Sequence, residues 1–249
     1  MTDVEEALAP LSARSVMLSM LLGSHPDRMS AAELVRAGEH FGIPAATSRV
    51  ALTRAVAAGD LQRDAGDYVL GERLAARQRR QDEAVLDAET GWDGTWEMAV
   101  VVVAGRTGAE RAALRDRLAS YRLAELREGV WTRPANLRRP KGYADEEVLS
   151  TFAVRPDEDA AALAARLWDL DSWAHQGRAL LTRLAATTDP ALRLAVAAHV
   201  VRHLAADPLL PAALLPGDWP ATAMRTAYAG YQDELRSLSV GVGAASDVR

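Results

Sequence analysis

The chain contains no cysteine, which excludes disulfide bonds, a thiolate nucleophile and cysteine-ligated zinc or iron–sulfur centres. It has one lysine, Lys141, in a sequence crowded with alanine, arginine and glycine. That bias is what GC-rich codons produce, so arginine in place of lysine carries no mechanistic meaning. No apolar run approaches the roughly 18 residues needed to cross a bilayer, and a membrane span is excluded. The opening MTDVEEALAP has neither the basic nor the apolar region of a secretory signal, so the expected location is the cytoplasm. There is no GxSxG elbow, no P-loop and no GxGxxG after a strand. No catalytic residue, metal or cofactor is therefore expected.

What is present is an ordinary globular composition. With 49% hydrophobic and 25% charged residues over 249 positions, the chain can build a sizeable core in one to three domains. A net charge of −5 argues against a protein that coats nucleic acid. The charge is uneven, however: residues 12–80 hold ten arginines against seven acids, so the N-terminal third is the positive part.

Ser12 to Leu22 reads as a buried helix with a serine N-cap. After GSHPD, Ser30 and Glu33 have the spacing of a capping box, opening a second helix from Ala31 to His40. PAATSRVALTRAVAAG then places proline at the start of a third helix and Gly59 past its end. At 100° per residue, Ser48, Ala51, Leu52 and Ala55 form a small apolar stripe, while Thr47, Arg49, Val50, Thr53 and Arg54 share the other side. LQRDAGDYVL follows as a β-hairpin. Three helices and a hairpin predict a winged helix-turn-helix at 1–70. The same pattern also fits a three-helix bundle with a solvated arginine face.

Residues 71–91 are polar and predict a linker helix. TWEMAVVVVA is a β-prone run suited to a strand buried on both sides. A helix (TGAERAALRDRLASY), a second strand region (LAELREGVWTRP), a third strand (LSTFAV) and another helix (PDEDAAALAARLWDL) follow. The series predicts a ferredoxin-like layer at 92–170 whose last strand is not apparent. Residues 171–249 read as a helical domain with a frayed glycine-rich tail. The expected class is therefore α+β.

Several blocks together resemble the PaaX-like transcription regulators, the phenylacetic-acid degradation repressors. They are Arg49-Val50-Ala51-Leu52-Thr53-Arg54, Trp92-Asp93-Gly94-Thr95-Trp96, Gly129-Val130-Trp131, Asp207-Pro208-Leu209-Leu210-Pro211, Leu214-Leu215-Pro216 and Trp219-Pro220. Their order over residues 12–235 carries the resemblance. It implies a winged helix, a Cas2-like ferredoxin fold, a helical C-terminal domain, and a dimeric repressor of a catabolic operon released by an aryl-acetyl or other acyl-CoA thioester. Wings in that family look more basic than this one, where Arg63 is flanked by Asp64 and Asp67.

In a winged helix-turn-helix, arginine can donate two hydrogen bonds to guanine, and threonine can bond a base or touch a thymine methyl. Arg49, Thr53 and Arg54 supply that chemistry, with Val50 available for methyl contacts; Thr47 shares their face. Arg14 and Arg63 are placed for phosphates. A single wing reads few bases, so the expected reader of double-stranded operator DNA is a homodimer. Arg133, Arg138, Arg139 and Lys141 lie in TRPANLRRPKG, which could hold effector phosphates or simply be a solvated loop. His199 and His203 are four apart on a helix but have no third ligand nearby, so a polar helix face is favoured over a metal site. Trp92, Trp96 and Trp131 are expected to pack the middle domain. Two rival classes remain: a metal-dependent nuclease on the middle domain, although Met98 to Gly105 contains no acid, and a protein-interaction scaffold.

Overall fold

The computed structural model describes residues 9–24, 27–85 and 91–240; the tail expected to fray lies outside the described residues. The chain separates into two compact units. One gathers residues up to 86, 175–206 and 220 onward; the other holds 87–174 and 207–219.

In the first unit, Ser12 Oγ accepts the Ser15 N–H at 3.2 Å and opens α1 (Ala13–Leu22). The capping box forms in full: Glu33 N–H donates to Ser30 Oγ at 3.2 Å and Ser30 N–H donates to Glu33 Oε2 at 2.7 Å, starting α2 (Ala31–His40). After the Gly42 turn, α3 spans Ala45–Ala57. Its end is a Schellman motif, with Gly59 N–H donating to Val56 O and Asp60 N–H to Ala55 O. Gly59 adopts φ +73°, a conformation that costs little only without a Cβ. The wing is a three-stranded antiparallel sheet in the order β1-β3-β2, from β1 (Arg28–Met29), β2 (Leu61–Asp64) and β3 (Asp67–Leu70). The two residues of β1 are too few for alternation to reveal them in sequence.

The polar segment read as a linker begins with α4 (Glu72–Val85). It is anchored rather than free: Leu74 and Gln78 are buried, and the Gln78 amide donates to the carbonyls of Leu21, Leu22 and Ser24 at 3.1 to 3.2 Å. One side chain thus satisfies carbonyls at the C-terminal end of α1 that the helix leaves open. On its other side α4 packs against α8 (Pro190–Ala205), which packs in turn against α9 (Ala221–Val240).

In the second unit β4 (Trp96–Val101), β5 (Ala124–Arg127), β6 (Val130–Pro134) and β7 (Leu149–Val154) form an antiparallel sheet in the order β5-β6-β4-β7, the ferredoxin-like arrangement. The strand missing from the sequence reading is accounted for. LAELREGVWTRP is two strands hairpinned at Gly129, which makes LSTFAV the fourth strand rather than the third. The crossover from β6 to β7 is a loop with a 3₁₀ turn at Gly142–Asp145, and α6 (Ala160–Leu167) comes after the last strand. One core lies under α5 (Gly108–Ser120) and includes Ala99, Leu114, Leu118, Trp131 and Tyr143. The other joins Trp96 to Leu163, Ala164, Leu170 of α7 (Leu170–Ala186), Leu210 and Leu214. Trp96 and Trp131 are buried in these cores, with Trp92 packed beside Trp96.

Candidate nucleic-acid interface

The two faces of α3 are separated as their spacing predicts. Ser48, Ala51, Leu52 and Ala55 are buried against α1 and α2, and Thr47, Arg49, Val50, Thr53 and Arg54 are exposed. Among the described residues neither Arg49 nor Arg54 makes an ion pair, so both guanidiniums face solvent with their donors available. Val50 is 49% exposed, an apolar side chain on a face that packing does not require to be apolar. Thr53 Oγ1 donates to Arg49 O at 3.0 Å, which leaves its lone pairs and methyl turned to whatever the helix meets.

The flanking cations are held by internal partners. Arg14 of α1 and Arg73 of α4 both bond the Asp60 carboxylate, which is only 2% exposed, while Arg14 remains half exposed. Burial alone would raise the Asp60 pKa; the hydrogen bonds and charges of the two arginines outweigh it and hold the carboxyl below its ordinary value. Asp60 therefore ties α1, α4 and the end of α3 together. Arg63 lies over the Tyr68 ring at 4.9 Å and donates to its hydroxyl at 2.7 Å, so it is steered across the wing sheet. The acids that made the wing look unfavourable have a basic neighbour that sequence reading missed: Arg28 of β1 pairs with Asp64 and, at 3.7 Å, with Asp67. Only strand pairing brings residue 28 to residues 64 and 67.

The arginines read as an effector loop do not form one site. Arg133 is in β6, fully buried, and donates to Pro134 O, to Asn136 Oδ1 at 3.0 Å and to Leu209 O at 2.9 Å. Burial, together with the nearby Arg139 charge, pulls its pKa down. Its placement in a solvated loop is corrected: it is a structural strut. Arg139 is mostly buried, donates to Tyr121 O at 2.8 Å and lies 3.4 Å from Glu97. Glu97, buried in β4, also accepts from the Tyr143 hydroxyl and faces Lys141 at 3.8 Å. Burial and this acceptor push the Tyr143 pKa up, so the phenol keeps its proton. Of the three arginines Arg138 alone is exposed, as is Lys141. A cavity of about 330 Å³ elsewhere in the same unit is lined by Arg106, Arg111 and Arg115, by the apolar Trp131 and Leu114, and by Glu125 and Glu128, with Glu125 3.5 Å from Arg115. His199 and His203 share α8; burial, Arg202 and Arg183 lower the His199 pKa. Among the described residues no group of three or more metal-ligating side chains gathers there or elsewhere.

Three family models match this arrangement in order: PaaX-like protein over residues 12–74, PaaX protein central Cas2-like domain over 89–148, and PaaX-like protein C-terminal domain over 168–241. The chain belongs to the PaaX-like family. That family is one of transcriptional repressors, regulatory rather than catalytic, and the winged helix at its N-terminus is consistent with a DNA-binding regulator. Among solved structures, the uncharacterized protein Rv0674 from Mycobacterium tuberculosis is similar, with a TM-score of 0.81 and 46% identity over 92% of this chain and 98% of that one. No curated protein matches the sequence. No helix among the described residues is long and apolar enough to cross a membrane.

Proposed function

We propose that this PaaX-like chain is a cytoplasmic, dimeric repressor that reads a two-fold operator with α3 and is released by a small acidic effector such as an acyl-CoA thioester. The reading rests on one observation above the rest: a helix whose buried stripe is seated on α1 and α2 and whose opposite face offers Arg49, Arg54, Thr47, Thr53 and Val50 without an internal ion pair. Guanidiniums bonding guanine O6 and N7 specify sequence, and Arg14 and Arg63 contact phosphates and set register. For the effector, family membership supports the class of ligand. Arg106, Arg111 and Arg115 beside an apolar wall suit an anionic ligand with an acyl group better than buried Arg133 does; Arg138 and the exposed edge of Arg139 remain the other candidate phosphate contacts.

The deciding experiment is a gel-shift titration at fixed salt on operator DNA selected with the purified protein. Arg49→Ala and Arg54→Ala should each weaken specific binding by about 1 to 3 kcal/mol while leaving thermal unfolding unchanged. Both variants within twofold of wild type would discard the recognition-helix assignment. Absence of any salt-dependent DNA binding by the wild type would favour the protein-interaction scaffold instead.

A further inference from the structure

The two edges of the second unit's sheet are built differently. β5 carries Glu125 and Arg127, is broken by a bulge between them, and Arg115 pairs with Glu125 at 3.5 Å. Charges and bulges are how edge strands avoid pairing with another chain. β7, Leu-Ser-Thr-Phe-Ala-Val, has no charge, no proline and no bulge, and its neighbour on one side only is β4. Thr151, Phe152 and Ala153 are all exposed although they point alternately to opposite faces, so neither face nor edge is covered there. Phe152, 52% exposed, shares its sheet face with Met98, Val100 and the exposed Val102.

The hydrogen-bond parity of this edge is fixed by its neighbours. Val102 N–H donates to Val148 O, so in the antiparallel register the even residues of β7 direct their backbone groups to β4 and Leu149, Thr151 and Ala153 direct theirs outward. The bond from Val101 N–H to Gly129 O on the other side of β4 gives the same parity. The Leu149 N–H is already donated to Glu146 O. Among the described residues, what remains open is the Leu149 carbonyl, both groups of Thr151 and both of Ala153.

We propose that β7 pairs antiparallel with β7 of a second copy of this chain, about a two-fold axis through Thr151, joining two four-stranded sheets into one. The interface rests on the dimeric reading above. In this register Thr151 exchanges both backbone bonds with the second copy's Thr151, and each Ala153 N–H donates to the other copy's Leu149 carbonyl, which pairs every open group except the Ala153 carbonyl. Registers centred between residues would set an outward residue against an inward one. The same axis brings Glu147, in the turn just before the strand, towards the second copy's Arg155, just after it, where Arg155 already pairs with Asp93 of its own chain at 3.1 Å, and does so twice. Centring on Ser150 or Phe152 loses that charge match. Phe152 then lies next to the second copy's Ser150, and the apolar face through Met98 and Val100 continues across the axis.

Sedimentation equilibrium on the full-length chain tests this with four variants, circular dichroism confirming that each is folded. Thr151→Pro removes an outward N–H on an edge strand, and Glu147→Arg and Arg155→Glu each oppose like charges. Each should raise the dimer dissociation constant about tenfold or more, and the double reversal should return it to within about threefold of wild type. The charge pair keeps the test decisive if the proline variant does not fold. Dimers of wild-type affinity in all folded variants would overturn this interface and leave the dimeric repressor standing. Single reversals that weaken the dimer without rescue by the double variant would overturn the register. A wild type that is monomeric alone and on operator DNA would overturn both the interface and the dimeric reading.

Discussion

Gly38 of α2 faces Ser48 of α3 so closely that a methyl group at position 38 would stand 2.4 Å from Ser48 Oγ and 3.0 Å from Met17 Cε. Helix α3 is thus seated on a helix with no side chain at the crossing point. Gly38→Ala should destabilise the first unit by about 1 to 3 kcal/mol, the usual cost of overpacking a filled core. Helix propensity alone predicts the opposite sign. Thermal unfolding separates the two, and operator affinity should fall with stability because α3 must shift. Since Ser48 Oγ is buried with no hydrogen-bond partner among the described residues, Ser48→Ala should be neutral or stabilising.

The wing turn contains Ala65 at φ +50° followed by Gly66 at φ +95°, two left-handed residues as in a type I′ hairpin. Asparagine tolerates that conformation better than alanine. Ala65→Asn should stabilise the protein by a few tenths to about 1 kcal/mol in chemical denaturation. A destabilised variant would show that the turn is not of this type in solution.

Asp60 sets an acid sensitivity. Its folded pKa is depressed, so its contribution to stability is complete above the ordinary aspartate value of about 3.9 and is lost as pH falls through the lower folded value. Asp60→Asn should therefore lose stability at pH 7 while its unfolding midpoint changes less than that of wild type between pH 5 and pH 2. Parallel curves for the two proteins would contradict the assignment.

Arg133 and Arg138, five residues apart, should behave in opposite ways. Arg133→Ala removes one of the two donors to the Leu209 carbonyl and the donor to Asn136 Oδ1, and opens a cavity, at a cost of about 3 kcal/mol. Arg138→Ala, exposed, should stay within about 0.5 kcal/mol of wild type. Equal unfolding midpoints for the two variants would mean that the network around Leu209 does not form.

The parts of the fold legible in the sequence are those set by neighbours along the chain. The Ser12 and Ser30 caps, the Glu33 partner and the division of α3 into Ser48, Ala51, Leu52, Ala55 and their exposed counterparts all follow from spacing within a few residues. What escaped depends on distant pairing. Arg133 and Arg138 share one stretch of basic sequence, and only the β6 register to Glu97, with the return of Leu209, decides which is inside. Asp60 gave no signal, because its importance comes from Arg14 and Arg73 meeting on it. The hairpin inside LAELREGVWTRP was hidden for a related reason: four residues of β5 broken by a bulge do not alternate cleanly.

The anchoring of α4 between α1 and α8 makes the first unit discontinuous along the chain, with residues 87–174 inserted into it. During synthesis the winged helix emerges long before the helices it packs against. At about 5 to 20 residues per second, the roughly 150 residues between the end of α4 and the end of α9 take on the order of ten to thirty seconds. For that interval the inserted unit can fold as its residues emerge, while the apolar side of α4 waits in the open. The order of folding on the ribosome is thereby partly the reverse of the order in sequence, and a truncated chain ending after the inserted unit would carry α3 on an unfinished support.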